Sequence, residues 1–258
     1  MIQIKTEKEI AIMKEGGAIL AGILKELSVA VRPGITTQDL DKLANELVFK
    51  FGAKSAFLGY NGYPATLCTS INEGIVHGLP SDRKLKEGDL LKLDMGVLYK
   101  EFYTDSAVTV LVSGLSRFSH IFKKDYSRKL RLISVTRKAL EIGISKARVG
   151  NTIGDIGSAV QKYVETERLN VVRDLVGHGI GRELHEEPQV PNYGKQGSGE
   201  KLVAGMVIAI EPMVVTGDWA AKEGDDGFVF ETKDGGLVAH FEHTVAITEK
   251  GPLVITKL

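Results

Sequence analysis

The sequence predicts a mixed α/β (α+β) fold built from two related halves, and three observations carry that prediction. Two blocks align without a gap, a β-hairpin lies in the first half, and four stretches show helical periodicity. Leu85-Lys-Glu-Gly88-Asp-Leu-Leu-Lys-Leu-Asp94 corresponds to Leu202-Val-Ala-Gly205-Met-Val-Ile-Ala-Ile-Glu211, with Leu, Gly, three apolar positions and the terminal acid in the same places. A repeat this long, present twice, implies a pseudo-twofold relation and not a solenoid.

Apolar spacing predicts helices over 7–27 and 37–51, the second opened by Thr36-Thr37 as N-cap. Between 88 and 112, two apolar-rich runs around a short polar turn read as a hairpin. Centring the turn on Tyr99-Lys100 sets Val97 against Phe102 and Asp94 against Asp105, with Cβ atoms roughly 4.5–5.5 Å apart. Like charges directly opposed destabilise a hairpin, and a cation between them removes the repulsion. A one-residue slip would send the aspartates to opposite faces. Helical patterns return over 129–147 and 152–167, the latter opened by Asn151-Thr152, and residues 192–200 read as a surface loop. The helices form a coat around the sheet.

Upstream of each repeated block stands His-x-x-Pro, at His77-Gly-Leu-Pro80 and His185-Glu-Glu-Pro188. Downstream of each, a second acid enters an apolar strand, Asp105-Ser-Ala-Val-Thr-Val and Glu242-His-Thr-Val-Ala-Ile. A single Asp or Glu at a strand end is usually a solvated cap or half of an ion pair. Four at repeated positions, Asp94, Asp105, Glu211 and Glu242, together with His178, read as a two-metal site. His178 lies in Gly177-His-Gly-Ile-Gly181, where glycines permit unusual backbone angles and close approach of another chain or ligand. A phosphate-cradling loop is the rival there, but neither G-x-G-x-x-G nor the Walker pattern fits. His77 and His185 taken singly could be core histidines; their matched context favours function.

These motifs resemble the type I methionine aminopeptidases. The resemblance rests on Gly-Tyr-Asn-Gly-Tyr-Pro (59–64), Ser-Ile-Asn-Glu-Gly-Ile-Val-His-Gly-Leu-Pro (70–80), the two-aspartate hairpin, Gly-His-Gly-Ile-Gly-Arg-Glu-Leu-His-Glu-Glu-Pro-Gln-Val (177–190), Ile-Glu-Pro-Met (210–213) and Glu-His-Thr (242–244). It implies the pita-bread fold, a curved antiparallel sheet backed by helices, with residues 1–258 as one catalytic domain. It further implies Asp94 on one metal, Asp105 bridging both, His178 and Glu211 completing the first site and Glu242 bridging to the second. Two divalent ions would acidify a water for attack on the first peptide bond, and the substrate's free α-amine would restrict cleavage to chain N-termini. In that scheme Glu211 shuttles the proton, His185 polarises the carbonyl and His77 contacts the substrate amide. Oxygen-rich ligation with one imidazole suits Mn, Fe(II), Co or Zn about equally. The methionine pocket implied by the family is Tyr60, Tyr63, Cys68 and Phe228; Leu184 stands where many members have phenylalanine. Cys68 has no activating base in view and is not expected to act as a nucleophile.

Composition agrees. The 258 residues, 43% of them hydrophobic, suffice for one large core. Zero net charge implies no global attraction to nucleic acid or membrane. A single cysteine excludes an internal disulfide, and no signal peptide or bilayer-spanning run is found, so the expected location is cytoplasmic. The expected partners are nascent polypeptide N-termini, acted on by a monomer. Segment 116–131 carries six Lys/Arg against one Asp; it reads as a solvated loop and helix start, with contact to ribosomal RNA as the alternative. Two other functions were open: an Xaa-Pro-type aminopeptidase of the same fold, and a non-catalytic binding protein without metals.

Overall fold

The structure, a computed structural model, describes residues 2–114 and 123–257. All four helices form: α1 Glu7–Ala30, α2 Thr37–Lys50, α3 Lys123–Lys146 and α4 Ile153–Thr166. Thr36 and Thr152 are the N-caps of α2 and α4, each accepting from the third helical N–H while Asp39 or Asp155 reaches back to the cap. Thr6 and Glu9 build the same box on α1, a Thr-x-x-Glu signature the sequence reading passed over. α3 starts ahead of residue 129 because its basic first turns are good helix formers and Asp125 pairs with Lys129 one turn on. Of the basic segment 116–131, positions 116–122 lie outside the described residues.

The strands form four antiparallel sheets. In the first, β4 (Leu90–Tyr99) pairs along one edge with β5 (Phe102–Leu111) and along the other with β1 (Lys54–Ser55) and β2 (Cys68–Ile71). The largest runs in the order β15 (Gly251–Val254), β14 (His243–Thr248), β9 (Val207–Ile210), β7 (Gly177–Gly179), β8 (Glu186–Val190). Two three-stranded sheets complete the set: β13 (Val238–His240), β10 (Met213–Val215) and β6 (Asn170–Val171); and β11 (Ala221–Glu223), β12 (Phe230–Thr232) and β3 (Gly74–Val76).

The pseudo-twofold relation is visible in matching details. β9 pairs with β14 on one edge and β7 on the other, as β4 does with β5 and β2. Thr36 bridges to Lys84 in the first half, and Thr152 to Lys201 in the second. Gly88 and Gly205, equivalent in the repeat, both adopt φ near +90° (87° and 91°) in the turn entering β4 or β9, a conformation costly for any residue with a Cβ.

The hairpin register differs from the one predicted. The turn is centred on Lys100-Glu101, so Tyr99 faces Phe102, Gly96 faces Asp105 and Asp94 faces Ala107. Both turn residues have positive φ (46° and 71°), the pattern of a two-residue turn whose twist matches the flanking strands. The displacement is two positions and not one, so Asp94 and Asp105 keep a common face as diagonal neighbours. The acids flanking β9 and β14 do what was expected of the first pair. His243 faces Ile210, leaving Glu211 and Glu242 side by side at the end of that ladder.

Alternation along β4 divides core from site. Leu91, Leu93, Met95 and Val97 pack with Leu20, Ile23, Leu27, Leu40 and Leu47 of α1 and α2. Lys92, Asp94 and Gly96 take the other face, and Asp105 and Thr109 of β5 share it. A second core joins Leu132, Leu140, Ile156 and Val160 of α3 and α4 to Ile208, Ile210, Val245 and Ile247. The halves are stitched at β5 and β14: Asp105 N–H donates to Thr244 Oγ1 (2.9 Å), whose hydroxyl donates to Asp105 O (2.8 Å). Ser106 Oγ donates to Glu242 O (2.7 Å) and Glu242 N–H to Ala107 O (3.0 Å), bringing the acids of the two halves to one seam. Among the described residues no helix is long and apolar enough to cross a membrane.

Candidate active site

A cavity of about 430 Å³ opens where the halves meet, and it gathers every side chain singled out from the sequence. Asp94, Asp105, His178, Glu211 and Glu242 line it, as do His77, His185, Tyr60, Tyr63, Cys68, Phe228 and Leu184. The sequence reading did not identify Phe57, Asn61, Val76, Asp174, Leu175 and Val176, which complete the wall. Most of these are ordinary apolar residues, and only the fold brings them to the cavity.

The acids and His178 converge most closely. Asp105, His178 and Glu242 each present a ligand-type atom within 4.8 Å of the others. His178 Nε2 is 3.8 Å from Glu211 Oε1. His178 Nδ1 lies 2.9 Å from Gly179 O, and a carbonyl can only accept, so the ring proton sits on Nδ1 and the Nε2 lone pair faces the carboxylates. Burial, with His185 beside it, pushes the His178 pKa down to about 3 and keeps the ring neutral.

The flanking glycines serve close approach alone, since none of Gly177, Gly179 and Gly181 has positive φ. A Cβ on Gly177 would stand 2.3 Å from Ala209 O, and one on Gly179 2.2 Å from Glu187 O. Gly177→Ala is therefore expected to destabilise the protein by at least about 2 kcal/mol and to displace His178, because the obstacle is backbone that cannot step aside. Urea unfolding beside the parent checks this, and unchanged stability would contradict the packing described.

The electrostatics call for a cation. Burial raises Asp94, Glu211 and Glu242 well above the usual carboxylate range, with added repulsion from neighbouring acids, and burial pushes Asp105 up to about 7. Asp94 Oδ1 and Glu242 Oε1 are buried with no hydrogen-bond partner among the described residues. Orphaned carboxylate oxygens beside a neutral imidazole lone pair form a donor set that fits divalent metal ions.

His185 and His77 border this centre. The Tyr60 hydroxyl lies 2.8 Å from His185 Nδ1, and the His178 and His185 rings are 4.3 Å apart. His77 has φ 59°, a strained conformation for a residue with a Cβ, and its ring meets Phe230 edge-on at 5.9 Å. Tyr63 donates its hydroxyl to Gly78 O (3.0 Å) and Leu67 O (3.2 Å), and its ring meets Phe228 edge-on at 5.6 Å. Cys68 is 2% exposed and opposite Asp94 in the β2–β4 ladder, and burial drives its thiol well above the ordinary value. That fits an apolar wall and excludes a thiolate nucleophile.

Comparison with known proteins agrees with this geometry. Residues 11–249 match the family model described as metallopeptidase family M24. The chain is 46% identical over 256 residues to a methionine aminopeptidase of Clostridium perfringens, covering 99% of each chain. It is 43% identical over 258 residues to methionine aminopeptidase 1 of Bacillus subtilis, covering 100% of both. The crystal structure of the methionine aminopeptidase of Thermotoga maritima superposes with a TM-score of 0.93 at 44% identity, covering 100% of both chains. The architecture above is thus the pita-bread fold, and the chain belongs to metallopeptidase family M24, among its methionine aminopeptidases.

Proposed function

We propose that this cavity binds two divalent metal ions through Asp94, Asp105, His178, Glu211 and Glu242, and that the chain uses them to release N-terminal methionine from peptides with a small second residue. The observation that carries this reading is the convergence of Asp105, His178 and Glu242 on one point, with buried carboxylate oxygens left unpaired beside it. The ions, Mn, Fe(II), Co or Zn, would supply Lewis acidity, charge compensation for four carboxylates and a water acidified towards neutral pH.

The chain's own residues supply the rest. Glu211, a carboxylate on the cavity wall facing His178, would take the proton of the attacking water and pass it to the leaving amine. With the Tyr60 hydroxyl donating to Nδ1, His185 carries its proton on Nε2 and offers it to the carbonyl oxygen as negative charge develops there. His77 contacts the substrate amide. Tyr63, Cys68, Phe228 and Leu184 wall the thioether, with Tyr60 at the same cavity. The free α-amine, placed against the acidic centre, limits cleavage to chain termini. Residues 1–258 act as one catalytic domain, a monomer working in the cytoplasm on nascent polypeptides; the same-fold Xaa-Pro specificity is the disfavoured alternative, given relatives named methionine aminopeptidases.

Metal-stripped protein titrated with Mn, Fe(II) or Co is expected to release free methionine from Met-Ala-Ser, and His178→Ala to lose that release. Folded protein that releases no methionine with any metal, or a fully active variant, would overturn the reading.

A further inference from the structure

His240, the last residue of β13, is 1% exposed, and neither of its ring nitrogens has a hydrogen-bond partner among the described residues. Its backbone is fixed: the His240 N–H donates to Thr109 Oγ1 at 2.8 Å, and that hydroxyl donates to His240 O at 2.7 Å. The ring is thereby held with Nε2 3.6 Å from Glu211 Oε2, while Glu211 Oε1 lies 3.8 Å from His178 Nε2. Each oxygen of Glu211 therefore faces a different imidazole. The two imidazoles are not equivalent. Nδ1 of His178 is committed to Gly179 O, so its Nε2 is an acceptor with no proton to donate to the ionised Glu211 that would hold metal. His240 has no such commitment and can place its proton on Nε2.

Lys92 is wholly buried on the face of β4 that carries Asp94, and its ammonium donates to Asn72 O (2.9 Å) and to Val238 O (3.4 Å), two residues before His240. That nearby buried positive charge disfavours a second N–H on the His240 ring and so keeps the ring neutral. We propose that His240 is a positioning residue for Glu211. Its Nε2–H donates to Oε2 and keeps Oε1 turned towards His178, so that one carboxylate can hold metal and move a proton without swinging between the two tasks. The present gap exceeds a good hydrogen bond by about half an ångström, which a small turn of the carboxylate closes. The inference rests on the reading of Glu211 given above.

The test uses full-length protein and three variants, His240→Gln, His240→Leu and Glu211→Gln. Mn(II) affinity of metal-free protein is read by titration calorimetry, and kcat and KM on Met-Ala-Ser with metal restored. Removing a residue that orients a ligand typically costs about 10–100-fold in metal affinity or activity, and His240→Leu is expected in that range, in kcat more than in KM. His240→Gln, which keeps an N–H at similar reach, is expected to restore both. Parent-like affinity and kcat in His240→Leu, or equal losses in the two His240 variants, would overturn the proposal. Nitrogen NMR of the metal-loaded parent, which needs no variant, is expected to show His240 with its proton on Nε2, and a proton on Nδ1 alone would sink it. Glu211→Gln with parent affinity and turnover would instead remove the reading of Glu211 on which it rests.

Discussion

Asp105→Asn is expected to stabilise the metal-free protein at about pH 8, by about 1–3 kcal/mol, while reducing methionine release at least about a thousandfold. The two effects share one cause. Asp105 is 4% exposed and its charge is among the repulsions that raise Asp94, Glu211 and Glu242. Asparagine has the same shape and can keep the bond from Ser106 N–H to Oδ1 (2.9 Å). Without a metal it therefore removes a buried charge at little structural cost. With metal, one anionic oxygen is missing from the point where His178 and Glu242 also converge. A water that is less acidified there is a much poorer nucleophile at neutral pH. Urea unfolding in chelator and a methionine-release assay check the two halves. Stabilisation without loss of activity would remove Asp105 from the metal centre, and loss of both would make its role structural. Function here is held at the expense of stability, the usual relation at a charged, buried site.

How much of this was legible before folding differs residue by residue. The four helices followed from apolar spacing, and α2 and α4 also from their Thr caps, because those signals are local. The two halves were legible from the gapless repeat, which also located Gly88 and Gly205 at equivalent turns. The common face of Asp94 and Asp105 was legible because parity along a strand survives an error of two residues, whereas the register itself, which makes them diagonal neighbours and not the directly opposed pair expected, was not. That depended on Lys100 and Glu101 both accepting positive φ, which neither residue advertises. The glycines around His178 were recognised as permitting close approach, yet the backbones that approach, at Ala209 and Glu187, are distant in the chain and could not be named. His240 lies two residues before Glu242, a spacing that puts both on one side of an extended chain, and that alternation was a usable signal. Lys92 gave none: a lysine in an apolar run reads as a solvated edge, and only the sheet above it buries the ammonium.

Above about pH 6.5 the metal-free protein is expected to lose stability as pH rises, by about 1 kcal/mol or more per pH unit, and saturating metal to abolish that loss. Asp94, Asp105, Glu211 and Glu242 have raised folded pKa values, Asp105 to about 7 and the others well above the ordinary range. The folded protein keeps these protons after the unfolded chain has released them near pH 4, so each such group lowers stability as pH rises up to its folded pKa. The histidines act oppositely. His77, His178, His185, His240 and His243 have depressed folded pKa values, so the unfolded chain alone binds their protons below about pH 6.5, and their contribution rises with pH and then stops. Between about pH 4 and pH 6.5 the two sets oppose each other; above it the carboxylates lower stability, and Lys92, whose amine burial pushes down to about 7, opposes them in part because only the unfolded chain then keeps its proton. Metal ions require these carboxylates ionised, so binding must expel their protons, more at about pH 6.5 than at about pH 8. Urea unfolding in chelator across that window, and calorimetry in buffers of different ionisation heat, read the slope and the protons released. A metal-free stability that climbs with pH, or metal binding that releases no protons at the lower pH, would mean that the four acids are already ionised in the folded chain. The site would then hold its charge by some means other than the cations assigned to it.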